Sequence, residues 1–142
     1  MRIALPLIIL TSAVLAATGC SNDSNAPNTS HVGSYGLESV DGARLPVTVY
    51  EDSTFKVTLT QGALALNANN SFVESVKLDL MVNGRAGPPE NLSCGGSYQR
   101  SGSTVTLTVT GTADCDAATV TGTLSGNVLT ITDQGSVLVF RR

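Results

Sequence analysis

The sequence predicts an all-β fold, an antiparallel up-and-down meander of roughly 8–10 strands closed into a small barrel. Three observations predict it. From residue 32 onward apolar and polar residues alternate with a period of two, the pattern of half-buried strands and not of helices. The connections are short and rich in Gly, Asn, Asp and Ser, so they join antiparallel neighbours; a parallel pair would require a crossover of about a dozen residues. The composition agrees: 14 Gly, no Trp and an abundance of Thr, Ser and Val suit short strands joined by tight turns. A meander of this size leaves two open edges unless it curls and closes, which favours a barrel over a two-layer sandwich.

The chain of 142 residues begins with "MRIALPLIILTSAVLAATG", residues 1–19. One arginine is followed by an apolar stretch, residues 3–17, that is interrupted by Pro6 and falls short of the ~20 residues a spanning helix needs. This is the layout of a signal peptide. The "ATGC" at its end resembles the lipobox of bacterial lipoproteins. That resemblance implies that the Cys20 thiol carries a diacylglycerol and that cleavage leaves Cys20 as the new N-terminus. Ala17 stands where the family usually has Leu, and Ala17-Thr18-Gly19 also fits an ordinary signal peptidase. In that case Cys20 is a free thiol on a secreted protein.

Residues 21–31, "SNDSNAPNTSH", contain no large apolar side chain. With nothing to bury they read as a disordered tether, so residues 20–31 form a lipidated cysteine and its leash, and 32–142 the barrel domain. Two or more acyl chains would anchor the protein stably. Ser21, in place of Asp, favours the outer membrane by resemblance to lipoprotein sorting in two-membrane bacteria. The expected location is therefore the cell envelope, with the membrane as a partner through the lipid.

Within the barrel domain turns fall at 41–44 ("DGAR"), 51–54 ("EDST"), 67–70 ("NANN"), 100–103 ("RSGS"), 125–127 ("SGN") and 133–136 ("DQGS"). In "FKVTLTQGALALN" the apolar positions are odd through Leu59 and even from Leu64. A one-residue slip of this kind is the mark of a β-bulge, here expected at Gly62, so 55–66 reads as one bent strand or, alternatively, as a hairpin turning at Gln61-Gly62. In 71–82 Phe72, Val76, Leu78, Leu80 and Val82 share a face; in 103–110 Val105, Leu107 and Val109 do, with the threonines opposite. Residues 118–124 repeat that pattern, with Thr119, Thr121 and Thr123 outward.

Two long connections remain, 83–93 and 111–118, and strand alternation places both at one end of the barrel, the expected functional face. With Cys20 set aside, Cys94 and Cys115 allow one disulfide in an exported protein, or two buried free thiols. A hairpin turning about Ser101-Gly102 sets Cys94 opposite Val109, near the loop that carries Cys115, so the bridge would staple that loop to the rim.

At this point the chain resembles the small lipocalin-like domains of bacterial lipoproteins. Lipocalins open with Gly-x-Trp on the first strand, and a basic residue near the last strand covers that ring. Here "GSY" (Gly33, Ser34, Tyr35) takes the first position and "VFRR" ends the chain, so Arg141 or Arg142 would cover Tyr35. The resemblance implies a barrel interior that accepts a small apolar molecule.

Removing Arg2 leaves 7 basic against 11 acidic residues, a net charge of −4, with no basic cluster to neutralise phosphates; nucleic acid is not an expected partner. The one histidine, His31, falls in the tether, so no Ser-His-Asp or Cys-His arrangement is expected and no enzyme activity. Two cysteines make no complete zinc site, and Asp114 with Asp116 fall short of the 6–8 oxygens calcium takes, so no metal and no cofactor are expected. The candidate ligand contacts are Tyr35, Glu74 and Tyr98. Glu74 shares the inward parity of Phe72 and Val76 and is expected at the end opposite the long loops; a carboxylate reaching water at the rim is the plainer alternative. For both tyrosines the alternative is core packing with the hydroxyl bonded. Two functions follow: a lipid-anchored module holding a small apolar ligand, or an envelope protein with a packed barrel binding a protein through the 83–93 and 111–118 loops.

Overall fold

The computed structural model describes residues 30–113 and 115–142. The expected signal peptide, Cys20, most of the tether and Asp114 lie outside the described residues. The strands are β1 (Gly33–Val40), β2 (Ala43–Arg44), β3 (Val47–Glu51), β4 (Phe55–Leu66), β5 (Ser71–Val82), β6 (Arg85–Ala86), β7 (Glu90–Ser101), β8 (Thr104–Val109), β9 (Ala118–Ser125), β10 (Val128–Asp133) and β11 (Ser136–Arg141).

Eight of them form the ring β1-β11-β10-β9-β8-β7-β5-β4, every pair antiparallel. The ring closes where Gly33 and Tyr35 of β1 pair with Leu66 and Leu64 of β4. Further along, β1 pairs on its other side with β11, Leu37 against Phe140. The fold is thus the expected closed up-and-down meander. The short strands are appendages: β2 folds back on β1, β3 lies along the first half of β4, and β6 turns back on the end of β5.

Alternation fills the interior. Tyr35, Leu64, Leu66, Phe72, Val105, Leu129 and Phe140 are fully buried, each contributing about 1.5–3 kcal/mol against exposure, while Thr104 and Thr108 face solvent. As expected, residues 55–66 form one bent strand. The extra residue is Thr60, however, and not Gly62: Leu59 pairs with Leu78 and Gln61 with Lys77, and the Thr60 hydroxyl donates to the Lys77 carbonyl at 3.1 Å. Gly62 has a different job. A Cβ there would stand 2.8 Å from Leu37 Cβ and Cδ2, so its bare backbone makes room for the Leu37 side chain.

Two further expectations are corrected. The β7–β8 hairpin turns at Gly102 and Ser103, with Ser101 paired to Thr104, so Gly96 and not Cys94 faces Val109. That shift carries Cys94 past the end of β8, beside the loop it is bonded to. The 83–93 connection is shorter than its sequence suggests, because Asn83 and Gly84, both at positive φ (49° and 75°), make a tight turn into β6, and β7 begins at Glu90.

β5 pairs with β7 only as far as Leu78, and its last residues continue past the barrel. Together with β3, the start of β4 and β6 they form a projecting tongue. One face of it is apolar, with Phe55 paired to Val82 and Val57 to Leu80, and Tyr50 and Val82 are about half exposed, at 52% and 46%.

Candidate functional site

The two ends of the barrel differ because of what points into them. At the end bounded by turns 67–70, 102–103 and 126–127, large side chains fill the lumen. Tyr35 and Tyr98 are both buried there, at 0% and 2% exposure. The Tyr35 hydroxyl donates to the His31 carbonyl at 2.6 Å, and the Tyr98 hydroxyl to the Asn67 carbonyl at 2.8 Å. With its proton committed to Asn67, the Tyr98 oxygen accepts from His31 Nε2 at 3.1 Å, while Arg100 Nη1 donates to His31 Nδ1 at 3.1 Å. The network selects the Nε2–H tautomer. Arg142 lies over the Tyr35 ring, its guanidinium carbon 5.5 Å from the centroid, and donates to the Val32 carbonyl at 2.8 Å. Burial pushes the Tyr98 hydroxyl pKa up, with Tyr35 adding to the rise and Arg100 opposing it.

This end is a plug. Tyr35 and Tyr98 are core residues with bonded hydroxyls. His31, which the sequence leaves in the tether, is seated on the barrel through its ring and its carbonyl. Its signal is weak because it ends a polar run, residues 21–31, that has no large apolar side chain.

The other end stays open, because the inward residues nearest it are small: Val109, Ala118, Val120 and Cys94. They enclose a cup of about 240 Å³ whose floor is Phe72, Leu107, Ile131 and Phe140. Its rim carries Glu74, Asp116, Asp133 and Gln134. The Cys94–Cys115 disulfide, Cα atoms 5.9 Å apart, fixes the 111–117 loop as one wall. Within that loop Thr112 N–H donates to the Cys115 carbonyl at 2.8 Å.

Glu74 therefore lies at the same end as the disulfide loop, contrary to the expectation. The reason is the stagger of a closing barrel: each strand slides past its neighbour, so Glu74 near the start of β5 pairs with Cys94, the fifth residue of β7. Its inward parity is as expected. Burial raises the Glu74 carboxyl pKa above its usual range, and the Asp133 charge raises it further. Of the three candidate contacts, only Glu74 lines the cup, and no residue of 83–93 does.

A more open furrow of about 490 Å³ crosses the β4 bulge, bordered by Leu45, Gln61, Lys77 and Asn91. Its walls mix Leu37, Leu45, Ala63 and Val76 with Thr60, Gln61, Ser75, Lys77 and Asn91, and it lies more open to solvent than the cup. Among the described residues no three of His, Cys, Asp and Glu converge to hold a metal ion. No described helix is long and apolar enough to cross a membrane.

The fold and site define a closed eight-stranded antiparallel barrel, plugged at one end and cupped at the other. No protein-family model matches the chain, and no curated protein matches it.

Proposed function

We propose that this protein is a lipid-anchored lipoprotein of the bacterial cell envelope, attached through Cys20 and sorted to the outer membrane, whose barrel holds a small, largely apolar ligand. The observation that carries the binding role is the cup, a concavity floored by core side chains and ringed by a few polar groups, the usual make-up of a small-molecule site. At about 240 Å³ it suits an occupant smaller than most cofactors. The lipocalin-like reading draws support from Arg142 over Tyr35, the arrangement that resemblance implies.

Anchoring rests on the residues before Ser30. The chain reaches the barrel at the plugged end, where His31 is fixed, so the anchor on Cys20 would attach to the end opposite the cup. A second reading, docking of a protein partner, is favoured by the exposed Val49, Tyr50, Met81 and Val82 of the tongue, and not by the 83–93 and 111–118 loops.

Native mass spectrometry of the protein released from its own membrane tests both parts. A lipid mass that survives denaturation on the Cys20 peptide, with a second small-molecule mass that does not survive, is the expected result. An unmodified Cys20 overturns the anchor. A folded protein that never carries a small molecule moves the function to the tongue.

A further inference from the structure

The rim of the cup is one-signed. Glu74, Asp116 and Asp133 face it, and among the described residues neither Glu74 nor Asp133 receives a hydrogen bond or an ion pair at its carboxylate. Every basic side chain of the barrel domain is elsewhere. Arg141 pairs with Glu38 at 2.9 Å and Lys56 with Glu51 at 3.4 Å. Arg100 and Arg142 belong to the plug, Arg44 and Arg85 sit on the short strands β2 and β6, and Lys77 points outward from β5 beside the furrow. Glu74 is the deepest of the three acids and half-buried, between Leu64 on β4 and Cys94 on β7. A carboxylate in such a place costs desolvation energy and is left without a partner by its own chain.

From the apolar floor and this rim together we propose that the cup takes a small amphiphilic cation, an ammonium group on a compact apolar body. The body would rest against Val109, Val120 and Leu138, the partly exposed apolar lining above Phe72, Leu107 and Phe140, and the ammonium would donate to Glu74 with Asp133 beside it. Such a charge-assisted hydrogen bond is roughly twice as strong as a neutral one. The carboxylates are spread around the mouth and do not converge on a point, an arrangement suited to an organic cation. An anion of the same shape would meet two unpaired carboxylates and be rejected.

This inference rests on the reading of the cup as a binding site, and the test separates the two. Phenethylamine, phenethyl alcohol and hydrocinnamate share a body small enough for the cup and differ in the polar end. Titrating each into the folded protein by calorimetry at neutral pH and low salt should give amine binding about tenfold or more tighter than the alcohol and no measurable binding of the carboxylate. The amine's advantage should shrink with added salt, because the mouth is open to solvent. Glu74→Gln should bring amine and alcohol to within about twofold of each other. Asp79→Asn, which removes the same charge from the outer face of the same strand, should leave every affinity as it was. Asp133→Asn gives a second variant with an intermediate loss.

Alcohol and amine binding equally well to the unaltered protein would overturn the cation and keep the cup. An amine preference that survives Glu74→Gln and Asp133→Asn would overturn the role of the rim. No binding of any of the three, in a protein whose melting shows it folded, would overturn the cation inference and the small-ligand reading together.

Discussion

Removing the Cys94–Cys115 bridge should cost this domain a large part of its stability. The bonded residues are 21 apart, so the closed loop holds 22 residues counting both ends. In the chain-entropy model such a loop removes about 11 cal/mol/K from the unfolded chain, or about 3.4 kcal/mol at 25 °C. About 110 residues are folded, and at about 2.1 cal/mol/K per residue the unfolding entropy is about 0.23 kcal/mol/K. The double variant Cys94→Ala, Cys115→Ala should therefore melt about 15 °C lower than the oxidised protein. Urea denaturation should give a larger m-value for the variant, because its unfolded chain is no longer held together and exposes more surface. The assay is thermal and urea unfolding of both proteins, followed by circular dichroism at equal concentration. A fall of less than about 4 °C would refute the reasoning. The 111–117 loop would then be held by its own contacts, such as Thr112 to Cys115, and the staple would add nothing.

Four other outcomes follow from particular contacts. Gly62→Ala drives a methyl against Leu37 and should cost about 1–3 kcal/mol in urea unfolding, with part recovered when Leu37→Val is added in the same chain. His31→Ala removes two side-chain hydrogen bonds at the plug and should cost about 1–2 kcal/mol, although the sequence reads as leash there. Glu74 holds its proton more tightly folded than unfolded, so its favourable contribution is present below about the ordinary 4.5 and lost as pH rises through the raised value. Glu74→Gln should accordingly raise the Tm at pH 7 and lose that gain in acid. Asp52 behaves oppositely: the Thr54 amide, the Tyr50 hydroxyl and the Phe55 amide donate to it and lower its pKa from 3.8 to about 2. Its contribution is present above 3.8 and lost as pH falls toward 2, so Asp52→Ala should flatten the acid limb of a Tm-against-pH curve between those values.

The strands were legible wherever one face alone is buried. Val105 and Leu107 against Thr104 and Thr108 is a pattern only a half-buried strand produces, and the parity change after Leu59 located the bend in β4 to within two residues. The short turns carried their own chemistry: Asp41-Gly42 and Gln134-Gly135 both adopt positive φ, as the turn residues suggested. Asn83-Gly84 carries the same signal, but it heads a longer stretch whose Pro88 and Pro89 suit an irregular connection and mask the tight hairpin.

The cup was only partly legible. Alternation gave the inward direction of Glu74, but its neighbours depend on strand stagger, a property of the closed ring that no local pattern encodes. Which end is open depends on the volumes of side chains far apart in sequence. Tyr35 and Tyr98 meet at one end, and Val109, Ala118 and Val120 meet at the other. His31 shows a related limit, because its partners Tyr98 and Arg100 lie 67 and 69 residues away.

The central claim is that the cup binds, and methyl NMR tests it most directly. Phenethyl alcohol titrated into methyl-labelled protein should shift Val109, Val120, Ile131 and Leu138 in a saturable way and leave Val57 and Leu80 of the tongue in place. Saturable shifts in the tongue with none in the cup would contradict the account and assign the working surface to the projecting sheet.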